Sequence, residues 1–355
     1  MKKQPPIAPW QAAAFTLIEI LVSMGILSLL LVMLVSMTDA TQRTWSHTSS
    51  KVEQFQEARE AFEAITRRLS QATLNTYWDY DNPNAPTRYQ RQSELRFMTG
   101  PATSLLSNGQ NTTGHAIFFQ APLGYVEDAS KYKNVNDLLN TWGYFVEFGS
   151  DKDSRPPFIN GLSNAPPEHY RFRLMELMES SDSLSLYKYT SGLTGAATPA
   201  PKNEAYKTHE WFNDPLGASP RPVHALAENI VALVLLPKLA PGDQTQGGYK
   251  DDSLAPAYRY DSTDNSQTDA NLNPHHQLPP VVQVTMVAVD QVTFARFQKG
   301  NAMPDLTAGL FADARDYEKD LDQLRKTLQD NQLNYRVFTS NVSIKAAKWS
   351  RTQQN

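Results

Sequence analysis

Between Phe15 and Met37 lie 23 residues with a single charge, Glu19, and from Ile20 to Met37 there are 18 with none. Wound as a helix at about 1.5 Å per residue, the stretch covers about 35 Å, enough to cross a bilayer. The expected anchor includes Leu17, Ile20, Leu21, Val22, Ile26, Leu27 and Leu30. A secretory signal has a shorter apolar core, about 7–15 residues, closed by a small-residue cleavage site. Here the small residues, Ala12-Ala13-Ala14, come before the apolar run. That order is wrong for ordinary signal cleavage. Lys2 and Lys3 precede the span without an acidic neighbour, while Asp39 and Arg43 roughly cancel after it. The positive-inside rule then puts the N-terminus in the cytoplasm and the body across the membrane.

Glu19 is the anomaly of this segment. A carboxylate at the centre of a bilayer costs about 2.5–3.5 kcal/mol, less near the end of a span. Two explanations are open. The side chain reaches the interface, or the acid is kept to meet a positive charge on a neighbour.

The rest of the chain has a different balance. At 355 residues it has room for one large domain or two ordinary ones. Hydrophobic residues at 40% and charged residues at 20% fit a globular fold. A mean hydropathy of −0.49 excludes a multi-span membrane protein. A net charge of −4 gives no broad basic footprint, so nucleic acid is not an expected partner. The absence of cysteine excludes thiol catalysis, Cys-ligated zinc, iron–sulfur clusters and disulfides. A cysteine-free chain also crosses into an oxidising space without mispairing.

The stretch Ala14-Phe15-Thr16-Leu17-Ile18-Glu19-Ile20-Leu21-Val22 resembles the prepilin signal of type IV pilins and type II secretion pseudopilins. The resemblance implies cutting between Ala14 and Phe15 by a prepilin peptidase, which also N-methylates the new terminus. It implies that Glu19 neutralises the terminal amine of an adjacent subunit, which is coherent for an ion pair in an apolar layer. The family usually has glycine before the cut, where this chain has Ala14. Residues 1–14 would be the basic leader and 15–37 the transmembrane helix. The implied partners are the peptidase/methyltransferase, other pilin-like subunits, the inner-membrane assembly platform and membrane lipid. The implied location is the bacterial inner membrane, single-pass, with a periplasmic head.

Trp45, Val52, Phe55, Phe62, Ile65, Leu69 and Ala72 follow at spacings of 7, 3, 7, 3, 4 and 3, with no Pro or Gly between Trp45 and Ala72. This amphipathic stripe predicts that the helix continues through 38–76. A helix from Phe15 to Thr76 would measure about 90 Å. The stripe packs on the protein's own sheet or on another helix in a coiled coil.

Beyond Tyr77 the period changes. Strands are expected at Ser93–Met98, His115–Gln120, Trp142–Phe148, Tyr170–Met178, Ser183–Tyr189, Val231–Leu236, Val281–Val289 and Tyr335–Lys345. The two apolar runs, Val231–Leu236 and Val281–Val289, lack strict alternation and predict burial on both faces. Surface loops are expected at 190–223 and 237–280. A second helix is expected from Leu306 to Asp330, on the spacing of Ala314, Tyr317, Leu321, Leu324 and Leu328. The fold class is α+β: a long N-terminal helix packed on a mainly antiparallel head over 77–355. Arg68–Trp78, Gln92–Phe97, Leu226–Val231 and Leu278–Met286 make the head similar to the J-type minor pseudopilins, and more closely to the Verru_Chthon cassette protein C family of pilin-like proteins.

Chemistry is sparse. His275-His276 lacks the further ligands a metal needs, and the Asp261–Asp269 tract lacks the glycine and closing glutamate of an EF-hand loop. A calcium-binding loop there is a lesser alternative to a solvated one. Asp79 and Asp81, among Tyr77, Trp78 and Tyr80, form either a binding patch or a helix end packed on the sheet. No nucleophile elbow, P-loop or dinucleotide fingerprint is present. The expectation is therefore a structural, non-enzymatic pilin-like subunit of a type IV pilus or type II secretion filament, with no cofactor. Its large head favours a minor or tip position. The alternatives are a membrane-tethered binding module or enzyme that borrows the signal for export, and an uncleaved single-pass anchor.

Overall fold

The computed structural model describes residues 16–80, 82, 84–106, 111–128, 138–152, 155–162, 164–186, 209–298 and 300–349, apart from the side chains of 46–54, 157, 160 and 246. The chain divides into two compact units, Met1–Glu53 and Gln54–Asn355. Helix α1, Leu17–Leu69, belongs to both.

In the first unit the side chains from Leu17 to Trp45 are exposed, and the most apolar 18 residues of this 29-residue stretch have a mean hydropathy of 2.6. Its hydroxyls turn inward. Ser23 donates to the Glu19 carbonyl at 2.7 Å, Ser28 to that of Gly25 at 2.9 Å and Ser36 to that of Met33 at 2.8 Å. Thr38, Thr41 and Thr44 do the same toward Leu34, Met37 and Ala40. Such bonds hide polar groups that an apolar solvent could not satisfy. Asp39 and Arg43 pair at 2.9 Å, one helical turn apart.

The second unit is an antiparallel α+β head. The elements after α1 are β1 (Tyr77–Tyr80), β2 (Tyr89–Gln92), β3 (Met98–Pro101), α2 (Ala102–Leu105), β4 (Thr112–Pro122), β5 (Leu139–Ser150), α3 (Pro157–Asn160), β6 (Tyr170–Glu179), α4 (Glu210–Gly217), β7 (Val223–Glu228), β8 (Ile230–Lys238), α5 (Pro241–Gly247), β9 (Tyr260–Asp261), β10 (Val281–Val289), α6 (Gln291–Phe297), α7 (Tyr317–Asp330) and β11 (Tyr335–Ser343). One sheet has six strands in the order β7-β6-β5-β4-β3-β9. A second has three, β11-β10-β8, and β1 pairs with β2 in a separate hairpin.

The core lies where the two sheets and the last turns of α1 meet. Ala58, Ala61, Phe62, Ile65 and Leu69 are buried, so from Ala58 onward the stripe packs on the chain's own sheets. Phe62 lies 5.8 Å from Phe338 of β11, and the Arg68 guanidinium lies 4.4 Å above the Trp142 ring of β5. Arg68 also pairs with Glu176 of β6, which accepts a 2.9 Å bond from the Tyr144 hydroxyl. β4 meets β8 at a bulge between Thr113 and Ile117. There Gly114 takes φ +66°, and a Cβ would stand 2.6 Å from the Leu233 carbonyl oxygen. Only glycine allows that approach. β8 is buried along its whole length and β10 from Val282 onward, as the two unbroken apolar runs predicted.

Several expectations are corrected. Helix α1 ends at Leu69, not Thr76, because the Thr73 N–H leaves for the Gln120 carbonyl at 2.9 Å. Ser93–Met98 is not one strand: the N–H groups of Leu95, Arg96 and Phe97 go to the side-chain oxygens of Ser93, Gln120 and Ser262. Ser183–Leu186 forms no strand, its backbone being drawn to Glu179 through Ser185; residues 187–189 of that expectation lie outside the described residues. Residues 306–313 are not helical, since Gly309 and Phe311 take positive φ and the Phe311 N–H bonds Asp320. Residues 209–223 are no simple surface loop, since α4 buries Trp211, Phe212 and Leu216, with Phe212 stacked on Phe118 at 3.9 Å; residues 190–208 of that expectation lie outside the described residues. Residues 237–280 are likewise packed, burying Leu254, Ala255, Tyr258, Tyr260 and Leu278. Tyr77–Tyr80 is a strand, not a helix end.

Candidate functional site

The site that the sequence singles out begins at the N-terminal end of α1. Glu19 sits in its first turn, with its N–H bonded to the Thr16 carbonyl at 3.0 Å. An acid here is favoured by the helix dipole. The decisive contrast lies with its neighbours. The three serines between Leu17 and Met37 all bond carbonyls of their own helix, whereas the Glu19 carboxylate accepts no hydrogen bond and pairs with no cation among the described residues. Leu17, Ile20, Leu21, Val22, Ile26, Leu27 and Leu30 are all exposed around it. Ala14 and Phe15, the expected processing pair, lie outside the described residues.

The chemistry candidates of the head do not converge. Asp261, Asp264 and Asp269 each cap a local turn, accepting from the backbone of Thr263, Ser266 and Asn271 respectively. The His275 and His276 rings lie against each other with centroids 3.9 Å apart and planes tilted by 56°. Burial, with His275, Arg91 and Arg96 adding repulsion, holds the His276 pKa down at about 3, so its imidazole is neutral at pH 7. Among the described residues no group of three His, Asp or Glu side chains could hold a metal ion.

Asp79 and its aromatic neighbours make an outward-facing feature that the sequence reading left open. In the β1–β2 register Trp78 pairs with Arg91 and Tyr80 with Tyr89, so these four share one face. Trp78 and Tyr89 are both 62% exposed and Tyr80 is 41% exposed. The signal was the alternation Trp78, Tyr80 and its echo at Tyr89, Arg91. The four-residue run Tyr77–Tyr80 is too short for periodicity to decide between a strand and a helix end, and the pairing with Tyr89–Gln92 decides it.

Comparison with protein-family profiles, curated proteins and solved structures finds no match to this chain. The coarse class therefore rests on the molecule alone. It is an α+β head with antiparallel sheets, joined in sequence to one apolar helix near the N-terminus that is long enough to span a membrane or to act as a signal sequence.

Proposed function

We propose that this protein is a pilin-like structural subunit, exported through a prepilin signal and assembled into a type IV pilus or type II secretion-like filament in a minor or tip position. The precursor sits in the bacterial inner membrane with its head outside the cytoplasm. A prepilin peptidase/methyltransferase cuts between Ala14 and Phe15 and methylates Phe15. Other pilin-like subunits and the assembly platform then take up the helix. The observation that carries this reading is the state of Glu19: every serine from Leu17 to Met37 is satisfied within its own helix, and the one carboxylate is not. An apolar layer penalises such a group until a cation arrives, and a new Phe15 amine on an adjacent helix is a cation of the right kind. The apolar helix supplies lateral contact, and the head supplies position and partner choice.

Two measurements test it. Intact mass and N-terminal sequencing of membrane-extracted protein should find a chain that begins at N-methyl-Phe15. Glu19→Val should insert as well as wild type, since it lowers the insertion cost, while its recovery in sheared filaments falls at least about tenfold, equivalent to about 1.4 kcal/mol. A chain that keeps its leader, or a Glu19→Val protein incorporated normally, would sink the proposal.

A further inference from the structure

The outward face of the β1–β2 hairpin carries more than exposed rings. Tyr80 and Tyr89 stack at 4.6 Å with planes 27° apart, and the Tyr89 hydroxyl donates to that of Tyr80 at 2.9 Å. The Arg91 guanidinium lies 5.8 Å from the Trp78 ring centroid. These contacts fix flat aromatic faces in the solvent, at a cost that burial does not repay.

Beside the platform lies a cavity of about 380 Å³, lined by Thr73, Asn75, Thr76, Arg91, His276 and Lys348 among others. Arg91 belongs to both features. Its Nη1 donates to Gln277 Oε1 at 3.2 Å and to the Lys348 carbonyl at 3.0 Å. Neither acceptor is charged. Among the described residues Arg91 has no carboxylate partner, and its Nε and Nη2 donate to no protein group. Half-burial lowers its pKa, the mark of a charge short of compensation. The cavity lining contains no Asp or Glu, and Lys348 adds a second cation at the rim.

The composition narrows the ligand. From Asn75 to Gln92 there is no Leu, Ile, Val, Met or Phe; besides Ala85, the prolines and the acids Asp79 and Asp81, the stretch holds Tyr, Trp, Asn, Gln, Thr and Arg. A protein partner brings aliphatic and aromatic bulk and is met by an apolar core in the interface. A pyranose ring offers something different: a flat C–H face that lies on the negative face of an aromatic ring, and an equator of hydroxyls for amides and Thr. A guanidinium without a carboxylate partner among the described residues, its Nε–Nη2 edge free, matches a carboxylate or sulfate on that ring.

We propose that the Trp78–Tyr80–Tyr89 platform and the Arg91 cavity beside it bind an acidic polysaccharide, with sugar rings stacked on the aromatics and an anionic substituent held by Arg91. This goes beyond the filament role and does not depend on it.

The test uses the full-length protein in detergent, titrated with oligogalacturonate, alginate oligomers and chondroitin sulfate oligomers, with methyl-esterified oligogalacturonate as the uncharged control. At least one acidic oligomer binds, and Trp78→Ala or Tyr89→Ala weakens it tenfold or more. Both rings are exposed, so neither change threatens the fold. Arg91→Gln abolishes the preference for the acid over its methyl ester. No binding to any of the three overturns the proposal, as does binding that Trp78→Ala and Tyr89→Ala leave unchanged. Equal affinity for acid and ester in the wild type overturns the role of Arg91. Tight binding of single-stranded DNA that the same variants remove would reassign the platform to nucleic acid and refute the glycan.

Discussion

His115 illustrates how one residue joins two sheets. It stands on β4 at the bulge beside Gly114 and is 2% exposed. Its Nδ1 accepts the Leu235 N–H from β8 at 3.0 Å, so the proton sits on Nε2, which donates to the Phe311 carbonyl at 3.1 Å. The neutral ring thus satisfies one donor and one acceptor that would otherwise be buried alone. Burial lowers its pKa from 6.5 to about 4, against the opposing pull of the Phe311 carbonyl. The unfolded chain therefore binds a proton in a range where the folded chain does not. The stability contributed by the neutral ring is complete above pH 6.5. It declines as pH falls toward 4, by up to about 3 kcal/mol at about 1.4 kcal/mol per pKa unit. His115→Gln should cost about 1–3 kcal/mol at pH 7 and flatten this part of the pH profile. Urea denaturation of both proteins at pH 7 and 4.5 measures it; parallel profiles would mean that His115 titrates normally in the fold.

Within a single element, the two parts of α1 obey different rules. Ile65 and Leu69 are fully buried in the head, whereas Trp45 is 76% exposed, although all three belong to one sequence stripe. Leu69→Ala should lower the denaturation free energy of the head by about 2–5 kcal/mol through lost burial and a cavity. Trp45→Ala should change it by less than about 0.5 kcal/mol. Equal losses would show that the packed stripe reaches further toward the N-terminus than Ala58. Periodicity made α1, α7 and the apolar strands β8 and β10 legible, because in each one pattern holds over nine residues or more. It failed where tertiary contacts override local signals. The α4 helix hides in a stretch that looks like a loop, with Pro215 inside it, and forms because Trp211 and Phe212 find Phe118. The 237–280 segment is polar and Pro-rich, yet Tyr258 and Tyr260 draw it into the core. At the candidate site, the isolation of Glu19 was readable from sequence because hydropathy alone exposes it. The Arg91 cavity was not, because His276, Lys348 and Arg91 come together only through the fold.

At the scale of the molecule, the boundary between the two units falls between Glu53 and Gln54, inside α1. Among the described residues, every member of the buried core lies on the C-terminal side of it, beginning with Ala58. The stretch Leu17–Trp45 contributes no buried side chain and leaves a long apolar surface exposed. Folding of the head should therefore be independent of the apolar helix but not of the helical turns after it. A chain that begins at Gln54 should be soluble without detergent and unfold in one cooperative transition, with near-UV circular dichroism of fixed aromatic packing. A chain that begins at Ser70 loses Ala58, Ala61, Phe62, Ile65, Leu69 and the Arg68 partner of Glu176, leaving a buried carboxylate without its cation. Removing one partner of a buried pair alone costs about 3–5 kcal/mol, and each large side chain deleted adds about 2–5 kcal/mol, against a typical total of about 5–15 kcal/mol. That shorter chain should not fold. If it melts cooperatively, the end of α1 is dispensable packing; if the Gln54 chain aggregates, the head depends on the apolar segment in a way that the division into two units does not capture.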